Sequence, residues 1–196
     1  MKPKIRPQRA YIAAAESEQL TSTVGFVFVV SPFSNSEEPA LVVDQVVARW
    51  NQIKPEFVGT LFDRLAELAK EYTPAEPILS IHAERGDLYD HLGAAALLYL
   101  DARYGLAMLA RNNMKPPFTV DEFFDKELAT LTLEQRVRRV RHWTDSGDLR
   151  VVRRGRSVDR LMAQLRGFTG GSEAPSELVG AYLLAALIER ERVLAL

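Results

Sequence analysis

Two stretches of this chain hold side chains able to do chemistry. The first is His82-Ala83-Glu84-Arg85-Gly86-Asp87-Leu88-Tyr89-Asp90-His91, with two of the chain's three histidines and three carboxylates. Imidazoles and carboxylates bind divalent ions, and carboxylates at a helix start suit Mg²⁺. His82, Glu84, Asp87 and His91 would be the ligands of a metal-dependent nuclease. The plainer alternative is a strand exit followed by helix caps, with Asp87 and Asp90 favoured by the helix dipole. The histidine spacing matches no tight ligand signature. The sequence expectation is therefore no enzyme, no metal and no cofactor, with the nuclease kept as a third option.

The second stretch runs from Leu131 to Arg166. From Arg136 onward it carries ten arginines, no lysine and three acids, a net +7 in a chain whose total is −1. Such asymmetry in a nearly neutral chain marks a surface for a polyanion. Arginine rather than lysine favours forked contacts with phosphate or guanine edges. The alternative is a solvated helix face with internal ion pairs.

Composition limits the rest. At 196 residues the chain makes one generous domain or two small ones. Hydrophobic residues at 47% and a mean hydropathy of −0.11 predict a soluble globular protein with a real core. With no cysteine, disulfides and thiolate metal sites are excluded, which fits a reducing cytoplasm. Glu16 and Glu18 interrupt the first apolar patch, making it a poor signal peptide. The longest apolar runs, Val24–Val30 and Leu178–Ile188, are too short for a membrane helix. There is no glycine-rich phosphate loop and no serine in a nucleophile motif.

The elements that must position these residues follow from periodicity and breakers. Residues 1–9 read as an extended basic arm, and Gln8 to Leu20 as a short helix. Thr21 to Phe33 is a buried strand. Pro39 opens a helix through Ile53, and Glu56 to Tyr72 forms a second with Phe57, Leu61, Leu65 and Leu68 on one face. Pro77 to Ala83 is a second strand, parallel to the first. A helix from Asp87 to about Arg111, apolar all round at its centre and bent at Gly105, is expected to be central. Thr119 and Glu122 make a capping box for a short helix, Val120 to Leu128. Another helix spans Leu133 to Asp145, followed by a strand, Leu149–Arg154, and a helical stretch, Ser157–Leu165. Glu177 to Val193 is a last apolar helix. The expected fold is mainly α with a small β component. Its parts are an α/β-like region at 1–86, a second region at 87–168, and a hinge with the C-terminal helix at 169–196.

Short helix, turn, arginine-bearing helix, glycine and basic strand, centred on SGDLRVVRRGR, resemble the winged helix-turn-helix superfamily over roughly residues 95–160. The resemblance implies a helix in the DNA major groove and a wing on the backbone. Gln135, Arg138, Arg139 and His142 would read bases, and Arg153, Arg154 and Arg156 would clamp phosphate. The helical wheel agrees, since Leu133, Val137, Val140 and Thr144 share one face while Arg138, Arg139 and His142 point away. The expected function is double-stranded DNA binding, as a transcription regulator or a part of a DNA-handling complex. An adaptor docking protein partners is the alternative. A homodimer through the C-terminal helix is a further expectation.

Overall fold

The computed structural model describes residues 9–17, 19, 22–31, 38–72, 77–126, 130–144, 149–152, 157–168 and 174–194. Its centre is a six-stranded mixed sheet in the order β5-β4-β1-β2-β3-β6. The strands are β1 (Arg9–Glu16), β2 (Thr23–Ser31), β3 (Ala40–Arg49), β4 (Ile78–Glu84), β5 (Thr119–Phe123) and β6 (Leu149–Val151). β1, β2 and β3 form an antiparallel meander. β4 lies parallel to β1, β5 parallel to β4, and β6 parallel to β3.

Helices cover both faces, so every central strand alternates between two cores. Ala10, Ile12 and Ala14 of β1, with Phe26 and Phe28 of β2, face α1 (Pro55–Tyr72) and α2 (Asp87–Tyr104). Tyr11 and Ala13, with Val27 and Val29, face α5 (Asp159–Gly167) and α6 (Glu177–Leu194). α3 (Leu106–Arg111) follows α2 after a left-handed Gly105, and α4 is Leu133–Thr144. Among the described residues no helix is long and apolar enough to cross a membrane.

This architecture corrects several sequence expectations. The fold is not mainly α with a minor β part, because a sheet organises the whole chain. The helix expected at 8–20 is β1, and the one expected from Pro39 is β3 with a single 3-10 turn at Trp50–Gln52. A strand buried on both faces shows no two-residue period, so the alanines of β1 read as helix. In β3 the β-branched Val42, Val43, Val46 and Val47 were the missed signal. The two expected strands are present, but β2 runs antiparallel to β1 and β4 pairs with β1 instead.

The winged helix does not survive. Thr119 to Phe123 is the edge strand β5 rather than a capped helix, and β6 joins the main sheet beside β3 rather than turning back as a wing. Helix α2 is not buried on all sides: Leu97 and Leu98 are 58% and 63% exposed. The apolar circumference of α6 lies against β1 and β2, so the surface expected to meet a second copy is buried within this chain.

Close approach of α6 to the sheet explains two glycines. A Cβ on Gly25 would stand 2.4 Å from the Glu177 carbonyl oxygen, and one on Gly180 would stand 3.1 Å from the Ala15 Cβ. Glu177 then anchors the helix start. Its buried carboxylate accepts from Arg160 at 2.8 Å, Gln164 at 3.3 Å and Thr23 at 3.4 Å.

Candidate active site at the carboxyl ends of β1 and β4

β1 and β4 are adjacent and parallel, but the chain leaves β1 toward β2 and leaves β4 toward β5. Ligands of open α/β sheets bind outside the carboxyl ends of strands at such a parting. A cavity of about 270 Å³ opens here. Its polar lining is Glu16, Glu84, Arg85, Asp87 and Arg136. The opposing wall is apolar, with Gly180, Leu183, Leu184 and Leu187 of α6.

Strand pleating sets these positions. Ser80, His82 and Glu84 share one face of β4, and the Ser80 hydroxyl lies 2.9 Å from His82 Nε2. Glu84 is the last residue of the strand, past the final β1–β4 pair of Ala14 with Ala83. Arg85 and Gly86 turn the chain, and Asp87 begins α2. Gly86 has φ 141°, a left-handed value that favours glycine. Glu16 ends β1, and its Oε1 accepts from Trp50 Nε1 at 2.6 Å.

Arg136 of α4 reaches this cleft and donates to Glu84 at 3.0 Å. Arg85 donates through Nε and Nη2 to the two carboxylate oxygens of Glu122, and its guanidinium carbon lies 4.0 Å from the Phe124 ring centroid. The hydrogen bond from Arg85 holds the Glu122 carboxyl below the usual range, and the same contact raises Arg85. His82 is pushed down, first by burial and then by Arg9, against an upward pull from Asp121 at 3.8 Å.

The candidate residues from the sequence are therefore divided. Glu84 and Asp87 meet at the cavity. His82 faces inward, edge-on to Tyr11 with ring centroids 5.2 Å apart. His91 places Nε2 2.9 Å from the Ile53 carbonyl and packs on Trp50, so the two histidines do not share a site. Glu16 was missed, read only as an interruption of an apolar patch. Arg136 stood in the sequence as the first of the ten arginines, with no place in a cleft.

The nucleic-acid residues expected on α4 are partly visible. Gln135 is exposed, and its Oε1 accepts from the Thr132 backbone at 2.9 Å. Arg138 is exposed and pairs with Glu134 one turn earlier. Arg139 is half-buried. His142 lies on the helix, with its side chain outside the described residues, and Arg153, Arg154 and Arg156 lie outside them entirely.

A divalent cation needs donors that converge. Among the described residues no three histidine or carboxylate groups form a ready-made cage. Mg²⁺ commonly uses only one or two carboxylates, with waters and substrate phosphate completing its shell. Glu84 and Asp87, both exposed at the cleft, meet that smaller requirement.

The sheet is a meander β3-β2-β1 followed by parallel β4 and β5 on one side, with β6 parallel to β3 on the other. No family model matches the sequence, and no curated protein matches it. Several solved structures resemble it in part, among them the following. The yeast mitochondrial Holliday junction resolvase Ydc2 is 12% identical with a TM-score of 0.49, covering 97% of this chain and 83% of its own. The large terminase from a thermophilic bacteriophage is 9% identical with a TM-score of 0.44, covering 94% of this chain and 40% of its own. RuvC from T. thermophilus, solved with a Holliday junction substrate, is 15% identical with a TM-score of 0.34, covering 95% of each chain. These are partial likenesses of backbone path and assign no activity.

The non-enzymatic transcription regulator is corrected together with the winged helix on which it rested. A six-stranded mixed sheet takes the place of the winged helix, and the cleft at its carboxyl end holds carboxylates.

Proposed function

We propose that this chain is a DNA-handling nuclease that hydrolyses a phosphodiester in the cleft at the ends of β1 and β4. The observation that carries the reading is the meeting of Glu16, Glu84 and Asp87 with Arg136 in one cavity at that end of the sheet. Glu84 and Asp87 are the residues that would hold a divalent cation, which supplies charge neutralisation at phosphorus and a more acidic water. Glu84 also accepts a hydrogen bond, and so can orient a water or take its proton. Arg136 fixes the Glu84 carboxylate and brings a cation to the side a phosphate would enter. The start of α2, whose cap residue Gly86 has no side chain to satisfy the first turn, leaves backbone N–H groups for a phosphate oxygen. The apolar wall of α6 limits water on the far side.

Helix α4 leads away from the cleft with Arg138 and Arg141 exposed, a track for the backbone of the same DNA. The sequence-based expectation of DNA contact through Gln135, Arg138 and Arg139 is thereby kept, with duplex backbone rather than operator reading as its object.

The test is incubation of the full chain with duplex, single-stranded, flapped and four-way DNA in Mg²⁺ or Mn²⁺. Cleavage of at least one substrate is expected, and its loss in Glu84→Gln and Asp87→Asn. Intact DNA in every combination overturns the proposal.

A further inference from the structure

Arg85 is built in more firmly than a surface cation needs to be. Its backbone N–H donates to the Phe123 carbonyl at 3.2 Å, tying the end of β4 to the end of β5. Glu122 holds one edge of its guanidinium through Nε and Nη2, with the Nη2 bond at 3.2 Å. Phe124 lies beneath it, the guanidinium carbon 4.0 Å from the ring centroid. Yet Phe124 stays 47% exposed and the Arg85 side chain 58% exposed. Phe123, the last residue of β5, is buried, while Phe124 just past the strand end faces outward. An exposed phenylalanine under a pinned guanidinium, at the rim of a cleft, has no role in the core.

The partner follows from the charges. A phosphate would meet a guanidinium already neutralised by Glu122 in a two-point contact and would lie close to that carboxylate's negative charge. A flat π-system meets no such repulsion, because it uses the guanidinium face or the ring rather than the edge that donates to Glu122. A base in intact duplex has both faces covered by its neighbours, whereas an unpaired base offers one.

We infer that Arg85 and Phe124, braced by Glu122, form a stacking site for an unpaired nucleobase beside the cleft. This rests on the nucleic-acid reading of the cleft and deepens it. It makes the substrate a DNA with a displaced or single-stranded base next to the phosphodiester, rather than uniform duplex.

The experiment uses the full chain and DNA carrying 2-aminopurine, either unpaired in a flap or paired within a duplex of the same length. The wild-type chain is expected to bind the flap more tightly and to change 2-aminopurine fluorescence on binding. Arg85→Lys keeps the charge and removes the flat group, and Phe124→Leu keeps an apolar side chain and removes the ring. Each is expected to weaken flap binding about tenfold, the scale of one lost base stack, and to reduce the fluorescence change. Duplex affinity should stay within about twofold, and the slope of log K against log salt should not move. A salt slope reduced by about one unit in Arg85→Gln, which removes the charge, would make Arg85 a phosphate contact and overturn the stacking site. Unchanged flap binding in both variants would overturn it as well. Failure of the wild-type chain to bind either DNA would overturn the nuclease reading and this site with it. Binding that ignores the substitutions overturns this site alone.

Discussion

Arg136 Nη1 donates to Glu84 Oε1 at 3.0 Å, across 52 residues of sequence. The pair ties the arginine-rich helix to the cleft end of the sheet. It also joins the two stretches that the sequence marks as able to do chemistry.

The pair is a matter of positioning more than of stability. Its side chains are 29% and 49% exposed, so water screens the attraction. Arg136→Ala should lower the unfolding free energy by no more than about 1 kcal/mol in a urea titration. Glu84→Gln should be similarly mild for stability, while reducing cleavage on the order of 100-fold, the lower end for a lost acid–base group. A large stability loss in either variant would place the pair in the framework instead.

A second carboxylate lies where no solvent reaches it. Glu189 of α6 is 2% exposed and accepts from Tyr11 at 2.9 Å and from Ser31 at 3.0 Å. Deleting a donor to a buried charge leaves that charge partly unsatisfied. Tyr11→Phe should cost about 1–3 kcal/mol in equilibrium unfolding, although only one oxygen is removed. A neutral result would mean that other donors satisfy the carboxylate in the folded chain.

Packing of α6 on the sheet gives an ordered prediction. At Gly25 an added Cβ meets backbone atoms of Glu177 at 2.4 and 2.5 Å, and backbone cannot rotate away. Gly25→Ala should lose about 1–3 kcal/mol, as overpacking does. At Gly180 the nearest atom is the Ala15 Cβ at 3.1 Å, so Gly180→Ala should lose less. Thermal unfolding of the two variants side by side checks the order.

His82 predicts a pH dependence. Burial lowers its pKa below the ordinary 6.5 in the folded chain, with Arg9 adding to the drop and Asp121 opposing it. The unfolded chain therefore takes up the proton first as pH falls. Stability is full above about pH 6.5 and declines from there until the pH passes the lower folded value, where the loss levels off. His82→Gln should flatten that part of the curve. Melting temperatures of both proteins between about pH 8 and pH 5 measure it.

How much of this was written locally in the chain depends on which side of each element faces water. Helix α1 alternates core and solvent at helical spacing, so Leu61, Leu65 and Leu68 announced it. Gly105, expected only to bend one long helix, instead ends α2 in a left-handed turn, while α4 and α6 begin at the residues expected. The strands β2 and β4 were legible from β-branched and aromatic runs. Glu84 and Asp87 stood out as carboxylates between a strand and a helix.

The tertiary structure alone decided the remainder. β1 is covered on both faces, so no period distinguishes its alanines from a helix. β5 is a short edge strand whose Thr119 and Glu122 imitate a helix cap. Once it is a strand, Glu122 and Phe124 meet Arg85, a contact between residues far apart in sequence. The ion pair of Arg136 with Glu84 and the burial of α6 are likewise long-range. Sequence patterns report the surroundings of a segment averaged over its own few turns. Which segments lie side by side, and so which charges neutralise one another, depends on how the sheet is ordered.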